Sequence, residues 1–434
     1  MWSKFISIQQ AFSKEGKEVE LRGWVYRERK KGSLAFIVLR DSSNIIQCVA
    51  NEKELSKKEW KEIAEKAKIE ASLYVRGKVV KEERAPNGYE LHVSGIKIVG
   101  ESDNFPISKD LSREFIDDVR HLWVRSRKVT ATMKIRSTVF QAIRGYFISK
   151  GFYEVQSPII QSTQCEGGST LFEVKYFGKK LFLAQTWQLH AEAMIFALEK
   201  AFCIAPSFRA EKSKTSRHLA EYWHAEMEAA WINFDELMDY GENLIKHIFK
   251  KVLQENKEEL KVLERDTSKM LPIIEKPFIR MTYDEALKVL YEKKGINVKW
   301  GKDLRTIEED ELTSLYDVPV IVTKYPKIVK AFYMKEDDEN PDLVLGYDLL
   351  APEGHGEIIG ASIREESLEK LKQRLESQGE DPDKYGFYLD TRKYGSVPHG
   401  GYGLGVERIV KWLCNLDHIK DAIPFPRTMV RYYP

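Results

Sequence analysis

The densest chemistry in the sequence lies between positions 208 and 228. Phe208-Arg209-Ala210-Glu211 is followed by Arg217-His218-Leu219 and then by Glu221-Tyr222-Trp223-His224-Ala225-Glu226-Met227-Glu228. Arg209 and Glu211 alternate with Phe208 and Ala210 at the period of a strand, so both should project from one face. Lys212 to Ser216 reads as a polar turn, and Leu219 to Trp231 as the returning strand. A guanidinium grips phosphate or carboxylate through two parallel hydrogen bonds, so such a hairpin would suit a bound polyanion. The same residues would also form a salt-bridged hairpin on a solvated surface, and the stretch alone does not choose between the two.

A second cluster lies towards the C-terminus. Gly400-Gly401-Tyr402-Gly403-Leu404-Gly405 reads as a glycine-rich strand turning into a helix that carries Arg408. A glycine strand can lie flat under a nucleobase or ribose because no Cβ holds the backbone away. There is no G-x-x-x-x-G-K-[ST] loop, and the glycine spacing is not that of a dinucleotide fingerprint, so a nucleotide here binds by another design. Asp348 and Glu357 add two carboxylates of the kind that hold Mg²⁺ against phosphate oxygens. Taken singly, Arg408 could be a capping residue and Asp348 a turn acid.

The elements that must position these residues divide into two parts. The 434 residues are 43% hydrophobic and 31% charged, an ordinary composition for a chain of two or three domains. No apolar run approaches a membrane span and Met1-Trp2-Ser3-Lys4 does not open a secretory signal, so a cytoplasmic protein without a membrane segment is expected. Cys48, Cys165, Cys203 and Cys414 stand apart, with neither metal-ligand nor disulfide spacing. Residues 1–101 hold 20 Lys and Arg against 15 Asp and Glu, and the remainder 49 against 52, which points to a polyanion partner for the first part.

That first part reads as strands Glu18 to Tyr26, Leu34 to Arg40 and Ile45 to Ala50, a helix Glu52 to Lys68, and strands Ala71 to Lys81 and Tyr89 to Val99. This is the order of a five-stranded OB-fold β-barrel, whose face binds oligonucleotides. On pattern alone Phe36 reads as barrel core; the alternative is a stacking platform for a base, with Gln47 for its edge and Arg29 for phosphate. Residues 102–130 read as a hinge.

Beyond it, Val129 to Lys150 is a long helix ended by Gly151, and Phe152 to Ile160 a strand broken by Pro158, which places it at a sheet edge. An exposed edge invites a partner, so a homodimer through Gly151 to Pro158 is expected. Phe182 to Gln185 reads as a strand, Trp187 to Ala201 as a helix, 234–263 as helical and Tyr283 to Lys294 as a helix. Val318 to Thr323 and Ile328 to Met334 read as strands. Leu345 to Leu350 and Glu357 to Arg364 read as an antiparallel pair, with a helix from Glu365 to Gln378. The mixture lacks a βαβ rhythm and predicts an α+β fold on a mainly antiparallel sheet flanked by helices.

Together these segments resemble the class II aminoacyl-tRNA synthetases of the aspartyl, asparaginyl and lysyl subgroup. Gly151-Phe152-Tyr153-Glu154-Val155-Gln156-Ser157-Pro158, Phe208-Arg209-Ala210-Glu211 with Arg217-His218, and Gly403-Leu404-Gly405-Val406-Glu407-Arg408 match the three signatures of the catalytic domain in order. Gly23-Trp24-Val25, Phe36, Arg40-Asp41 and Gln47 match the subgroup's N-terminal barrel. The resemblance implies an anticodon-binding OB domain over 1–101, a hinge over 102–130 and a catalytic domain over 131–434. It moves Phe36 from core to anticodon platform, beside Arg29 and Gln47. It implies Arg209, Glu211 and Arg408 as catalytic residues. Contacts to ATP would come from Arg209, Glu211, Arg217, His218, Leu219, Tyr222, Glu357, Gly405 and Arg408, with Tyr222 stacking on adenine. Asp348 and Glu357 would hold Mg²⁺, and Glu166, Gln188 and Arg209 would contact the amino acid.

The amino-acid side chain is a question of charge. The aspartyl enzymes' lysine is replaced by Ala191, while their arginine is matched by Arg364. Burying an aspartate carboxylate against one arginine beside Glu226 and Glu228 would leave negative charge poorly compensated. An amide fits better, because Arg364 can donate to its oxygen while a glutamate accepts from its NH₂. The expected reaction is ATP-dependent ligation of L-asparagine to its tRNA through an adenylate. An aspartate-specific synthetase, a synthetase-derived enzyme that amidates aspartyl-adenylate, and a nucleic-acid-binding module with a dead catalytic domain are the alternatives.

Overall fold

The computed structural model describes residues 2–107, 111–165, 170–211 and 217–434, and the chain divides into two compact units, 1–115 and 116–434. In the first, a single helical turn α1 (Ile8–Ala11) precedes β1 (Glu18–Lys31), β2 (Leu34–Arg40), β3 (Ile45–Asn51), helix α2 (Lys57–Lys66), β4 (Ser72–Lys81) and β5 (Tyr89–Gly100). The strands close into a barrel in the order β1-β2-β3-β5-β4, with β3 and β5 parallel. Alternation along β2 sends Ala35, Ile37 and Leu39 into the barrel core and leaves Phe36 half-buried on the outside, so the pattern-only assignment of Phe36 to the core is overturned. Helix α2 starts where Ser56 and Glu59 cap each other's backbone N–H groups.

The stretch read as a hinge carries two short helices, α3 (Arg113–Asp118) and α4 (Arg120–Trp123). The fully buried Arg120 donates to the carbonyls of Lys420, Ile423 and Pro424 and to Asp421, which ties α4 to the end of the chain. Helix α5 (Arg127–Ser149) then leads to β6 (Tyr153–Glu154), β7 (Ile160–Gln161), β8 (Glu173–Tyr176), β9 (Lys179–Leu183), α6 (Gln188–Leu198), β10 (Lys200–Phe208) and β11 (Glu221–Ala230). Next come α7 (Phe234–Glu255), α8 (Lys257–Val262), α9 (Leu271–Glu275), β12 (Ile279–Thr282), α10 (Tyr283–Lys294), α11 (Thr306–Thr313) and β13 (Val320–Thr323). The chain closes with β14 (Gly346–Ala351), β15 (Gly356–Ile363), α12 (Leu368–Ser377), α13 (Gly386–Lys393), β16 (His399–Gly405) and α14 (Val406–Leu413).

Eight of these strands form one sheet in the order β12-β13-β14-β15-β16-β11-β10-β6, antiparallel except at its two outer pairs, and β7-β9-β8 form a small separate sheet. The period of two decides what each face of the large sheet does. Ala225, Met227 and Ala229 of β11, Tyr402 and Leu404 of β16, and Ile359 and Ala361 of β15 turn towards α5 and α7 and build the main core. Their alternates, His224, Glu226, Glu228, Gly401, Gly403 and Gly360, lie on the opposite face. Helix α7 is held in register at its start by the reciprocal cap of Asn233 and Glu236.

Three local expectations are corrected. The helix expected to run to Ala201 ends at Leu198, where Glu199 takes φ 61°, and Lys200 begins a strand that buries Ala201, Phe202 and Cys203; a short apolar run has no period that separates the two states. Ile328 to Met334 is not a strand: Lys327–Val329 forms a 3₁₀ turn, and Phe332 and Tyr333 are buried in a satellite core, so their aromatic character reflects packing. Phe152 to Ile160 shrinks to two-residue strands either side of Pro158, with β6 at the sheet edge.

Candidate active site

The cleft lies on the sheet face opposite α5 and α7. It is lined by Arg209, Glu211, Arg217, His218, Leu219, Tyr222, Glu357, Gly405 and Arg408, all nine of the expected ATP contacts, together with His224, Gly403 and Glu407. Arg209 and Glu211 do not sit in a strand as expected, since β10 ends at Phe208; the hairpin nevertheless continues, with the Arg209 N–H donating to Ala220. Glu211 lies 3.7 Å from Arg209 and 3.6 Å from His218. Burial, with Arg408 and Arg209 nearby, holds the His218 imidazole below its ordinary pKa and favours the neutral ring despite Glu211.

The floor is flat because of glycine. A Cβ at Gly403 would overlap the His224 ring, and one at Gly401 would overlap the Glu228 carboxylate. Tyr222 meets His224 edge to face at 5.5 Å, and Leu219 packs with Ile419 and Ile423 as an apolar wall. Arg408, in the first turn of α14, donates to the carbonyl of Glu357 at 2.9 Å and to its carboxylate at 3.1 Å. Arg217 reaches Asp310 at 2.6 Å and the carbonyl of Gly354 at 2.7 Å.

Asp348 of β14 stands opposite Gly360 of β15, with Glu357 three residues before that glycine. A Cβ placed on Gly360 would lie 3.1 Å from a Glu357 oxygen and 3.8 Å from an Asp348 oxygen, so both carboxylates lean over that glycine. Burial and the charges of Glu357 and Asp303 push Asp348 up to about 6, even with the Lys330 ammonium at 2.8 Å. Burial works against Glu357 as well, but Arg408 and Lys330 outweigh it and keep that carboxyl below its ordinary range. Glu309, which the sequence did not single out, is pushed up to about 7 by burial and by Glu357 and Asp348. Two convergent hard oxygen donors in a local excess of negative charge fit a divalent cation such as Mg²⁺.

On the same sheet face lies a buried cluster of polar side chains. Arg364 grips Glu228 through two bonds of 2.9 Å and donates a third to Ser362. Glu226 accepts from the Thr186 hydroxyl and from the Trp187 N–H, so it braces the turn that starts α6. Gln188, the first residue of α6, donates to Glu192 at 2.9 Å. Glu166 lies outside the described residues. Sequence reasoning missed Glu192, Tyr388, Arg392 and His399, which surround one another here; the available signal was that Glu192 falls four residues after Gln188, on the same helical face. Donor atoms of Glu192, Glu228 and His399 lie within 4.8 Å of one another, with Arg364 on Glu228 and Arg392 on Glu192 balancing the two carboxylates.

In the first unit, Arg29 lies 5.2 Å over the ring of Phe36, its cross-strand partner, while Gln47 donates to Glu90. These side chains stand on the outer surface of the barrel, where a stacking face and a cation adjoin.

Comparison with known proteins accords with this geometry. Residues 112–429 match the tRNA synthetases class II (D, K and N), and residues 19–99 the OB-fold nucleic acid binding domain. The asparagine–tRNA ligase of Thermoplasma acidophilum is 48% identical over 431 residues, covering 99% of this chain and 100% of that protein. That of Thermococcus kodakarensis is 49% identical over 420 residues, covering 97% of each. The crystal structure of asparaginyl-tRNA synthetase from Pyrococcus horikoshii complexed with asparaginyl-adenylate superposes with a TM-score of 0.95 at 44% identity, covering all of both chains. With its barrel, its eight-stranded sheet and its arginine-lined cleft, the chain belongs to the class II tRNA synthetases of the D, K and N group.

Proposed function

We propose that this chain activates L-asparagine with ATP and transfers it to the asparagine tRNA, through an asparaginyl-adenylate. The observation that carries the choice of amino acid is the pairing of Arg364 with Glu228 at 2.9 Å in a pocket where Arg392 is likewise paired with Glu192. A side-chain amide can share such groups as donor and acceptor, whereas an aspartate would add an uncompensated carboxylate. The relatives of 48% and 49% identity carry the same asparagine specificity in their names.

In this reading the substrate carboxylate attacks the α-phosphorus of ATP in line and expels pyrophosphate. The carboxylate is already ionised, so no general base is needed, and rate comes from positioning and charge stabilisation. Arg209 bridges the α-phosphate and the carboxylate. Arg217, His218 and Arg408 hold the outer phosphates, Glu211 orients Arg209, and Tyr222 stacks on adenine. Mg²⁺, held by Asp348 and Glu357, would offset phosphate charge. Gln188 and Glu166 receive the α-ammonium group. The 3′-hydroxyl of the terminal tRNA adenosine then attacks the adenylate carbonyl. Arg29, Phe36 and Gln47 read the anticodon by stacking and edge contacts.

A second copy of the chain is assigned to the edge formed by Gly151 to Pro158, where Tyr153 is 59% exposed. The protein is assigned to the cytoplasm; among the described residues no helix is long and apolar enough to cross a membrane. Charging of total tRNA with labelled asparagine and aspartate in parallel tests the assignment. Asparagine should be attached efficiently and aspartate poorly; the reverse order would establish an aspartate-specific enzyme instead.

A further inference from the structure

Glu192 has the largest set of buried polar partners around the pocket, and nothing in the two-step reaction uses it. It is fully buried. One of its oxygens faces Arg392 at 2.5 Å, Tyr388 at 2.8 Å and His399 at 3.1 Å. The other accepts from the Gln188 amide at 2.9 Å and lies 3.8 Å from Arg364. A wholly buried carboxylate is costly to maintain, and removing one of its partners would leave charge uncompensated.

We infer that Glu192 is a positioning residue that sets the choice of amide over acid, an inference that rests on the asparagine assignment above. Two physical effects converge on it. First, an ionised carboxylate only accepts hydrogen bonds, so the Gln188 side chain must turn its NH₂ towards Glu192. Its carbonyl oxygen is then presented outward, as an acceptor for the substrate's α-ammonium group. Second, Glu192 takes up Arg392 and shares Arg364, while Glu228 takes the rest of Arg364. Two carboxylates thus stand against two guanidiniums, and the pocket has no unbalanced positive charge among these groups to offer an incoming side-chain carboxylate. Ala191, one residue earlier, is buried and contributes no charge.

The test is Glu192→Gln, which keeps the size of the side chain but removes its charge and its power to orient Gln188. ATP–pyrophosphate exchange is measured with asparagine and with aspartate on the wild type and the variant. The KM for asparagine should rise about tenfold, with kcat and the KM for ATP within about threefold. The aspartate-to-asparagine ratio of kcat/KM should rise at least about tenfold, the scale of one charge a few ångströms away in a partly screened pocket. A merely structural role would lower both amino acids equally, and an unchanged ratio overturns the inference. If Glu192→Gln does not fold, Glu192→Asp keeps the charge but withdraws it from Gln188 by one methylene. It should raise the KM for asparagine and leave the ratio unmoved, and an unchanged KM would overturn the inference. A wild type that prefers aspartate would instead overturn the functional assignment, so the two failures are distinguishable.

Discussion

Arg136→Met should destabilise the catalytic unit through a charge buried one residue away from Arg408. Arg136, on α5, lies 2.7 Å from Glu407, which is 1% exposed and also accepts the backbone N–H of Trp223 at 2.9 Å. This contact joins α14 to α5 and to β11, and so fixes the helix that carries Arg408 into the cleft. Burial already pushes the Glu407 carboxyl above its ordinary range, with Arg136 as the main opposing influence. Methionine keeps the apolar stem of the arginine but leaves the carboxylate uncompensated. Breaking one partner of such a pair costs about 3–5 kcal/mol. In a unit spanning residues 116–434 that corresponds to a fall in Tm of roughly 4–8 °C. The measurement is thermal and urea unfolding followed by circular dichroism, with the KM for ATP measured below the transition. The loss should shrink as pH is lowered towards the carboxylate range, because protonation removes the lone charge. The double variant Arg136→Met/Glu407→Gln should recover part of the loss. Arg136→Met melting within about 1 °C of the wild type at neutral pH would refute the reasoning, since that is below the shift from even about 1 kcal/mol.

Arg209→Lys keeps the charge but loses the planar fork, and should lower ATP–pyrophosphate exchange by about a hundredfold or more with the fold intact by circular dichroism. Phe36→Ala should raise the KM for tRNA from about fivefold to a hundredfold, the range of one lost base stack, while leaving ATP–pyrophosphate exchange unchanged. His355 is held down to about 3 by burial and by Lys411, so it folds as the neutral ring. Because the unfolded chain binds that proton more readily, stability should fall as pH drops below about 6.5, by at most about 1.4 kcal/mol per pH unit. His355→Gln should flatten that part of the urea-midpoint profile between pH 7 and 5, and a slope equal to the wild type's would exclude His355 as the group responsible.

The barrel and most helices were legible in the sequence because their signals are local. The alternation along Leu34–Arg40 and the reciprocal cap of Ser56 and Glu59 depend on neighbours a few residues away. Errors fell where tertiary packing overrode local preference. Lys200 and Ala201 continue an apolar helix in sequence but open an inner strand of the sheet, and Ile328–Met334 has strand composition but leaves Ile328 exposed and buries Phe332 and Tyr333 in a satellite core.

The sequence by itself determined the inventory of the site: the arginines at 209, 217, 364 and 408, the carboxylates at 348 and 357, and the glycines between 400 and 405. Residue type and local clustering marked Arg209, Arg217, Arg408, the two carboxylates and the glycines, while Arg364 was marked by the family resemblance. Only the tertiary structure decided how charge is balanced. It placed Lys330 against Asp348, and it gathered Glu192, Glu228, Arg364, Arg392 and His399, brought from α6, β11, the end of β15, α13 and β16, into one buried pocket. Electrostatic pairing depends on separation in space, and no periodicity along the chain encodes a contact between residues 192 and 392.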